Sequence, residues 1–372
     1  MPARVSARRG MPLDPGGFGF ASRSLYDRER LVATEQPGRE GMGRVGVAFS
    51  AGLNASEIVD CARLAEELGY DSVWMAEGHG GDQFAVLAAV AAQTERVALG
   101  TCISSVFVRS APTIAMSAAV VDQLSGGRFI LGLGSSHKVQ VEPEHGVPYA
   151  KPVTRVRETA EVVRRLLRDG RVSFQGETVS IENYELWFQP FRPSLPIYFS
   201  GVFPKMMGVC GEEADGLIMV FTTLDTGAEA RRHIVAGAER AGRDASAVDV
   251  TSLIPTAAAD DPTEAFDALR PGVAMYTGFF PRYNRVAVDQ GFGEEAATIA
   301  EAWARGDHDA AIRAVSDAHI DSVCIAGTPA RCKERIAAYH ASGIDLPMIA
   351  PMAAGPDARA MVETTIRACA PN

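Results

Sequence analysis

A chain of 372 residues with 47% hydrophobic content carries enough apolar side chains for one large α/β barrel or two ordinary domains. Its formal net charge of -10 offers no basic face that would release counterions from a polyanion, which argues against nucleic acid as a partner. No window supplies the roughly 18 apolar residues of a membrane span, and the N-terminus has no apolar core of the secretory kind.

The cysteines Cys61, Cys102, Cys210, Cys324, Cys332 and Cys369 form no C-x-x-C pair. Neither a zinc site nor a disulfide framework is signalled, and a reducing, cytoplasmic setting is expected.

In chain order, residues 1–43 are rich in Arg, Gly, Pro and Ser without a sustained period and read as a poorly ordered extension ahead of a domain over 44–372. From Arg44 onward strands alternate with helices, the pattern of a parallel sheet. Strands are expected over 45–49, 72–76, 97–104 and 129–133, and helices over 56–68, 83–93, from about Pro112 to Leu124, and over 154–167. Residues 171–192 break the rhythm as a hairpin turning near Gln175 and Gly176.

Strands over 197–200, 216–221 and 248–255 follow, with helices opening at Pro204 and spanning 228–241. A long irregular and helical region over 260–320 precedes a strand over 323–326, a helix over 329–341 and a last strand over 346–350. A single (β/α)8 TIM barrel, with an insertion after the fourth helix and a long irregular segment before the last strand, accounts for this with the fewest assumptions. An open doubly wound sheet is the alternative.

In such a barrel the site lies at the carboxyl ends of the strands. That selects Glu77, Gly78 and His79, then Cys102, Ile103, Ser104 and Ser105, then Ser135, Ser136, His137 and Lys138, then Ser200 to Lys205, and Phe221 to Thr223. The run IYFSGVFPKM joins a strand end, a glycine, a helix-opening proline and Lys205, which together suit an anion such as a cofactor phosphate. GLGSSH at 132–137 lacks the third glycine of a dinucleotide loop. His137, Glu142, Glu144 and His145 match no standard metal-ligand spacing, so no metal is expected.

Several segments together resemble the luciferase-like family of flavin and deazaflavin oxidoreductases. They are AEGHGGDQFAVLAAVAAQTERVALGT, AAVVDQLSGGRFILGLGSSHK, HGVPYAKPVTRVRE, PKMMGVCGEEADG and AGTPARCKERIAAYHASGID. Within the family, SSHKVQVEPEHGVPYAKP and MYTGFFPRYN are similar to the branch that uses coenzyme F420 and includes methylenetetrahydromethanopterin reductase-like proteins.

The resemblance implies an F420-dependent oxidoreductase that transfers hydride between the deazaflavin C5 and a small organic substrate. Ser200, Gly201, Val202 and Lys205 would hold the phosphate. A non-prolyl cis peptide between Cys102 and Ile103, with Ser104 beside it, would form a bulge behind the ring, and Ser135, Ser136 and His137 would make the fourth wall. Glu77 and His79 would be the catalytic residues that order proton transfers.

Tyr276, Tyr283 and Asn284 belong to the stretch that covers the substrate side in the family. A homodimer through helices around strands two to four is implied as well, the alanine-rich helix over 84–93 being suited to the contact. The alternatives are an FMN-dependent monooxygenase that uses dioxygen and a partner flavin reductase, and a non-catalytic flavin-binding barrel. Three positions depart from relatives: Gly78 precedes His79 where luciferases have adjacent histidines, Ala48 replaces a glutamate of the pterin reductases, and Phe203 replaces a glycine.

Overall fold

The computed structural model describes residues 43–352 and 357–371. The extension expected over 1–43 lies outside them except for Gly43. In chain order the strands are β1 (Gly46–Phe49), β2 (Ser72–Met75), β3 (Ala98–Thr101), β4 (Ser104–Ser105), β5 (Phe129–Gly134), β6 (Arg171–Gln175), β7 (Ser180–Glu185), β8 (Ile197–Ser200), β9 (Gly216–Val220), β10 (Asp249–Ala258), β11 (Ile325–Gly327) and β12 (Leu346–Pro351). Among the described residues only β6 and β7, the expected hairpin, pair antiparallel.

β10 bonds both β9 and β12, which closes β1, β2, β3, β5, β8, β9, β10 and β12 into the (β/α)8 barrel. The strand expected over 323–326 is not among these eight. β10 is 10 residues long and outruns its neighbours, and β11 pairs only with its last part, from Thr256 to Ala258.

Strand alternation sends one set of side chains to the helices and the other into the barrel. The inner set centres on Ala48, Trp74, Tyr198, Ile218, Leu346 and Met348. Trp74 and Tyr198, with ring centroids 5.9 Å apart, fit because glycines face them. A Cβ on Gly100 would stand 2.1 Å from the Trp74 ring, and one on Gly216 would stand 2.7 Å from Tyr198. Below them the Tyr198 hydroxyl donates to Asp249 at 2.5 Å, and Arg44 pairs with the same carboxylate at 3.1 Å. The amino end of the barrel is therefore filled.

The expected strand over 97–104 is broken at a cis peptide between Cys102 and Ile103. Gly100 pairs with Ile130 and Ser104 with Leu133, so four steps on one strand oppose three on the other, which is a bulge. The Thr101 side chain takes over the missing ladder bonds: its Oγ1 donates to the Gly132 carbonyl at 2.8 Å and accepts the Gly132 N–H at 2.9 Å. Gly132 is required there, since a Cβ would lie 1.9 Å from the Thr101 carbonyl oxygen.

Several helices begin where side chains can replace the missing first-turn partners. Asn54 accepts from the Glu57 N–H at 3.1 Å while Glu57 accepts from the Asn54 N–H at 2.8 Å, and this capping box opens helix Ala55–Glu67. Ser110 caps helix Ala111–Leu124 more simply, its hydroxyl accepting from the Thr113 N–H at 3.3 Å. Two helices escape the sequence reading, Lys138–His145, with Pro143 inside it, and Ala358–Ala368.

The long segment before the last strand is ordered rather than irregular. It forms helices Pro262–Phe279, Pro281–Asp289, Gly293–Ala304, His308–Ala314 and Asp317–Val323, which share a core with Phe221, Ala257 and Ala326. Pro271 and Pro281 obscure the periodicity, whereas Asp261, Asp307 and Ser316 mark the helix starts by capping. Among the described residues no helix is long and apolar enough to cross a membrane.

Candidate active site

The carboxyl end of the barrel receives the candidate residues from five strands, β2, β3, β5, β8 and β9. Glu77, just past β2, is held on both oxygens: Oε2 accepts from the Ser105 N–H at 2.7 Å and Oε1 from Arg109 Nε at 2.5 Å. Arg109 also donates to Asp82 at 2.7 Å and lies over the Phe84 ring. His79 stands on the rim, its side chain 76% exposed, with Nε2 3.1 Å from Glu144. The structure thus separates the two residues: Glu77 is locked into the wall and His79 faces solvent.

Cys102 and Ile103 form the bulge, and the Ile103 side chain fills the space against Gly134, where a Cβ would meet it at 2.6 Å. Burial pushes the Cys102 thiol well above its ordinary range, which leaves it uncharged and unreactive. The Ser104 hydroxyl is buried with no hydrogen-bond partner among the described residues.

Beyond β5, Ser135, Ser136 and His137 meet the helices that cap the barrel. Arg282 Nη2 donates to the Tyr149 hydroxyl at 2.6 Å, and that hydroxyl donates to Ser135 Oγ at 2.9 Å. Arg282 Nη1 reaches Ser135 Oγ at 3.3 Å and the Ser136 carbonyl at 3.4 Å. Ser136 has φ +51° and Phe221, past β9, has φ +54°. Both hold left-handed conformations costly for such residues at the seam between barrel and cap. Gln290 bonds the Phe221 carbonyl at 2.8 Å.

His137 packs against Phe280 and Tyr283, with centroids 4.3 and 5.2 Å away. Burial, and then the nearby Arg282 charge, push its imidazole down to about 4, so it is neutral at neutral pH. Tyr276 and Tyr283 sit 5.1 Å apart in the same aromatic cluster, and burial raises both phenols. Asn284 turns away and donates to the carbonyls of Thr277 and Ala296 within the cap.

At the end of β8, Ser200, Gly201 and Val202 are half-buried and lead into helix Pro204–Glu213. The Gly201 N–H is committed to the Ile218 carbonyl at 3.1 Å, and those of Met206 and Met207 to the Phe203 carbonyl. The amides of Val202, Phe203 and Lys205 have no intramolecular acceptor among the described residues. Arg285 from the cap, paired with Asp289 at 3.6 Å, lies 4.9 Å from the Phe203 ring centroid and brings a cation close to this helix start, where Lys205 is exposed. Free amides and cations at a helix N-terminus are the donor set of an anion site.

Sequence reasoning missed Arg109, Tyr149, Arg282 and Arg285. Tyr149 and Arg282 lie inside the segments HGVPYAKP and MYTGFFPRYN, and an arginine directly before the capping Ser110 was the one local signal for Arg109.

The profile of the luciferase-like monooxygenase family matches residues 36–346. The chain is 30% identical to the 5,10-methylenetetrahydromethanopterin reductase of Methanolobus tindarius over 78% of its length and 89% of the relative's. The solved structure of the coenzyme F420-dependent tetrahydromethanopterin reductase from Methanopyrus kandleri superposes with a TM-score of 0.78 at 25% identity, covering 87% of this chain and 97% of that one. An F420-dependent secondary alcohol dehydrogenase in complex with an F420-acetone adduct shares the fold at a TM-score of 0.70 and 21% identity, covering 88% of this chain and 99% of that one.

Proposed function

The chain belongs to the luciferase-like monooxygenase family and is an oxidoreductase, and on that premise we propose that it binds coenzyme F420 at the barrel mouth and exchanges hydride with a small organic substrate. The observation that carries this reading is the similarity to F420-dependent reductases along most of the chain, at a mouth whose parts suit a flat ring ending in a phosphate.

The residues present fit that group. The uncommitted amides of Val202, Phe203 and Lys205, with the Lys205 and Arg285 cations, would hold the phosphate. Ser200 would add a hydroxyl, and Gly201 gives the turn its room, since a Cβ there would lie 2.5 Å from Met206. The bulge at Cys102 and Ile103 would back the ring, with the unpartnered Ser104 hydroxyl beside it. When bound, the deazaflavin supplies a C5 carbon that accepts or donates hydride.

The protein's own part is to orient and to exclude water. Glu77 acts as a positioning residue, holding Arg109 and the Ser105 amide and with them the backbone beyond the bulge. Neutral His137 and the rings of Tyr276, Phe280 and Tyr283 line an apolar side for the substrate. His79, on the exposed rim, is placed to pass a proton to solvent. Ala48 is buried among the inner side chains and leaves β1 without a carboxylate, which favours a substrate other than the pterin of the reductases.

A homodimer is part of this proposal, with its contact moved. Helix Gln83–Ala91 is largely buried, whereas Met116, Val120 and Leu124 form an exposed stripe at four-residue spacing on the next helix. The Tyr184 hydroxyl bonds Met116 sulfur at 3.0 Å, which brings the hairpin to this stripe, and Trp187 beyond it is 95% exposed. Such an apolar patch suits a partner surface.

Fluorescence titration of the purified protein with F420 and with FMN tests the cofactor, followed by a substrate-dependent change in deazaflavin absorbance. Tight F420 binding with little FMN binding is expected. FMN binding with oxygen consumption, and no F420 binding, would overturn the reading.

A further inference from the structure

Where the cap meets the barrel mouth, it turns a corner. Helix Pro262–Phe279 ends and helix Pro281–Asp289 begins at Phe280, whose extended backbone, with φ -102° and ψ 108°, breaks the run. Tyr276 stands just before that corner and Tyr283 just after it, so the bend brings the two rings together, with centroids 5.1 Å apart. Asn284 fastens the bend by donating to the Thr277 carbonyl at 3.1 Å and to the Ala296 carbonyl at 2.9 Å. From the barrel side Phe221 packs against both tyrosines, its ring centroid 4.8 Å from Tyr276 and 5.6 Å from Tyr283.

The polar ends of this cluster are unused. Neither tyrosine hydroxyl and neither ring nitrogen of His137 has a hydrogen-bond partner among the described residues. They are not sealed in either: the three side chains are half-buried, and their polar atoms reach open space. Burial raises both phenols, and the Cys102 thiol of the bulge adds to the effect on Tyr276. Both therefore stay protonated and can donate. None of the three pairs with a carboxylate among the described residues, and the nearby Arg282 donates to Tyr149, Ser135 and the Ser136 carbonyl.

We propose that Tyr276 and Tyr283 recognise the substrate, and that the substrate is an uncharged carbonyl compound, a ketone, aldehyde or enone on a flat apolar frame, whose oxygen accepts from their hydroxyls. The proposal rests on the function proposed above and gives its substrate a class. The aromatic rings hold the frame by contact, and the two hydroxyls supply donors where the wall is otherwise apolar. An ammonium group would meet no carboxylate here, and a carboxylate would find the Arg282 donors already engaged. A site built to hydrogen-bond an oxygen rejects an analogue that lacks it, because the hydroxyls are then left unpaired.

The test is calorimetric titration of the F420-loaded protein, with loading verified first by fluorescence, using acetophenone, its hydrocarbon counterpart ethylbenzene, and benzoate as a charged probe. Acetophenone should bind more tightly than the other two. Tyr276→Phe and Tyr283→Phe, which keep the ring packing, should each weaken acetophenone about two- to tenfold and leave ethylbenzene within about twofold. Infrared difference spectra of isotope-labelled acetophenone should show the bound carbonyl stretch moving to higher frequency in each variant, a change that altered packing alone would not produce.

Acetophenone that binds no better than ethylbenzene, or equally well to both Phe variants, overturns the proposal and leaves the F420 reading standing. Benzoate binding tightest of the three makes the substrate an anion and overturns it too. Failure of F420 to bind removes that reading, and the substrate class with it.

Discussion

Glu77 and Arg109 form an ion pair at 2.5 Å that ties the end of β2 to the residues following β4, and their side chains are only 12% and 18% exposed. Removing the cation would leave a mostly buried carboxylate with only the Ser105 amide. Arg109→Met is expected to cost about 3 kcal/mol of stability and to lower turnover by at least about tenfold through lost alignment. Glu77→Gln keeps an acceptor for Ser105 and should cost less. Thermal denaturation and steady-state kinetics of both variants measure this, and an Arg109→Met protein with unaltered values would refute it.

The depressed His137 gives a pH dependence whose sign is fixed. The folded imidazole titrates near 4 and the unfolded one near its ordinary value of about 6.5, so the unfolded state binds the extra proton between them. The contribution is fully present above about pH 6.5 and is lost as the pH falls toward 4. Burial also lowers His319 and His340, and they act with the same sign. Denaturant unfolding at neutral and acidic pH should therefore show a smaller acid loss in His137→Gln, though not its disappearance. Arg282→Met should move the His137 titration upward, as followed by NMR.

Lys205→Ala should weaken F420 binding about three- to tenfold, as expected for an exposed charge on a phosphate, with kcat within about twofold of the unaltered enzyme. Calorimetric titration beside kinetics separates the two effects. A fall in kcat at unchanged affinity would remove Lys205 from the phosphate end.

Val120→Glu places a charge in the middle of the exposed stripe on helix Ala111–Leu124. If that face joins two copies, light scattering should show a dimer for the unaltered protein and a monomer, or a dimer weakened by at least about tenfold, for the variant. Trp187→Ser should act in the same direction. A monomeric unaltered protein would refute the interface.

The barrel was legible because its units announce themselves locally: an apolar run, a polar strand end and a helix, opened in several units by a capping residue or a proline. The polar strand ends led directly to Glu77, Ser135 and Ser200. The partners of these residues were not legible, because they arrive from far along the chain. Arg282 meets Ser135 across 147 residues, and Glu77 meets Arg109 across 32. The bulge was implied by resemblance alone, since nothing local shows that Thr101 bonds Gly132 in place of a backbone ladder. The helical cap was hidden by prolines within and between its helices, and β11 passed for a barrel strand because its pairing depends on the length of β10.

Trp74 and Tyr198, with the Arg44 and Asp249 pair beneath them, shut the amino end of the barrel among the described residues. On the proposed function, a reactant that enters at the carboxyl end would leave by the same door, past the cap carrying Arg282 and Tyr283. Traffic through that door then sets an order of events: substrate and product compete for one passage, and neither can be relieved from below. Widening the floor, for instance by Trp74→Ala, would create a cavity without creating a second exit, since the Tyr198, Asp249 and Arg44 plug remains beneath it.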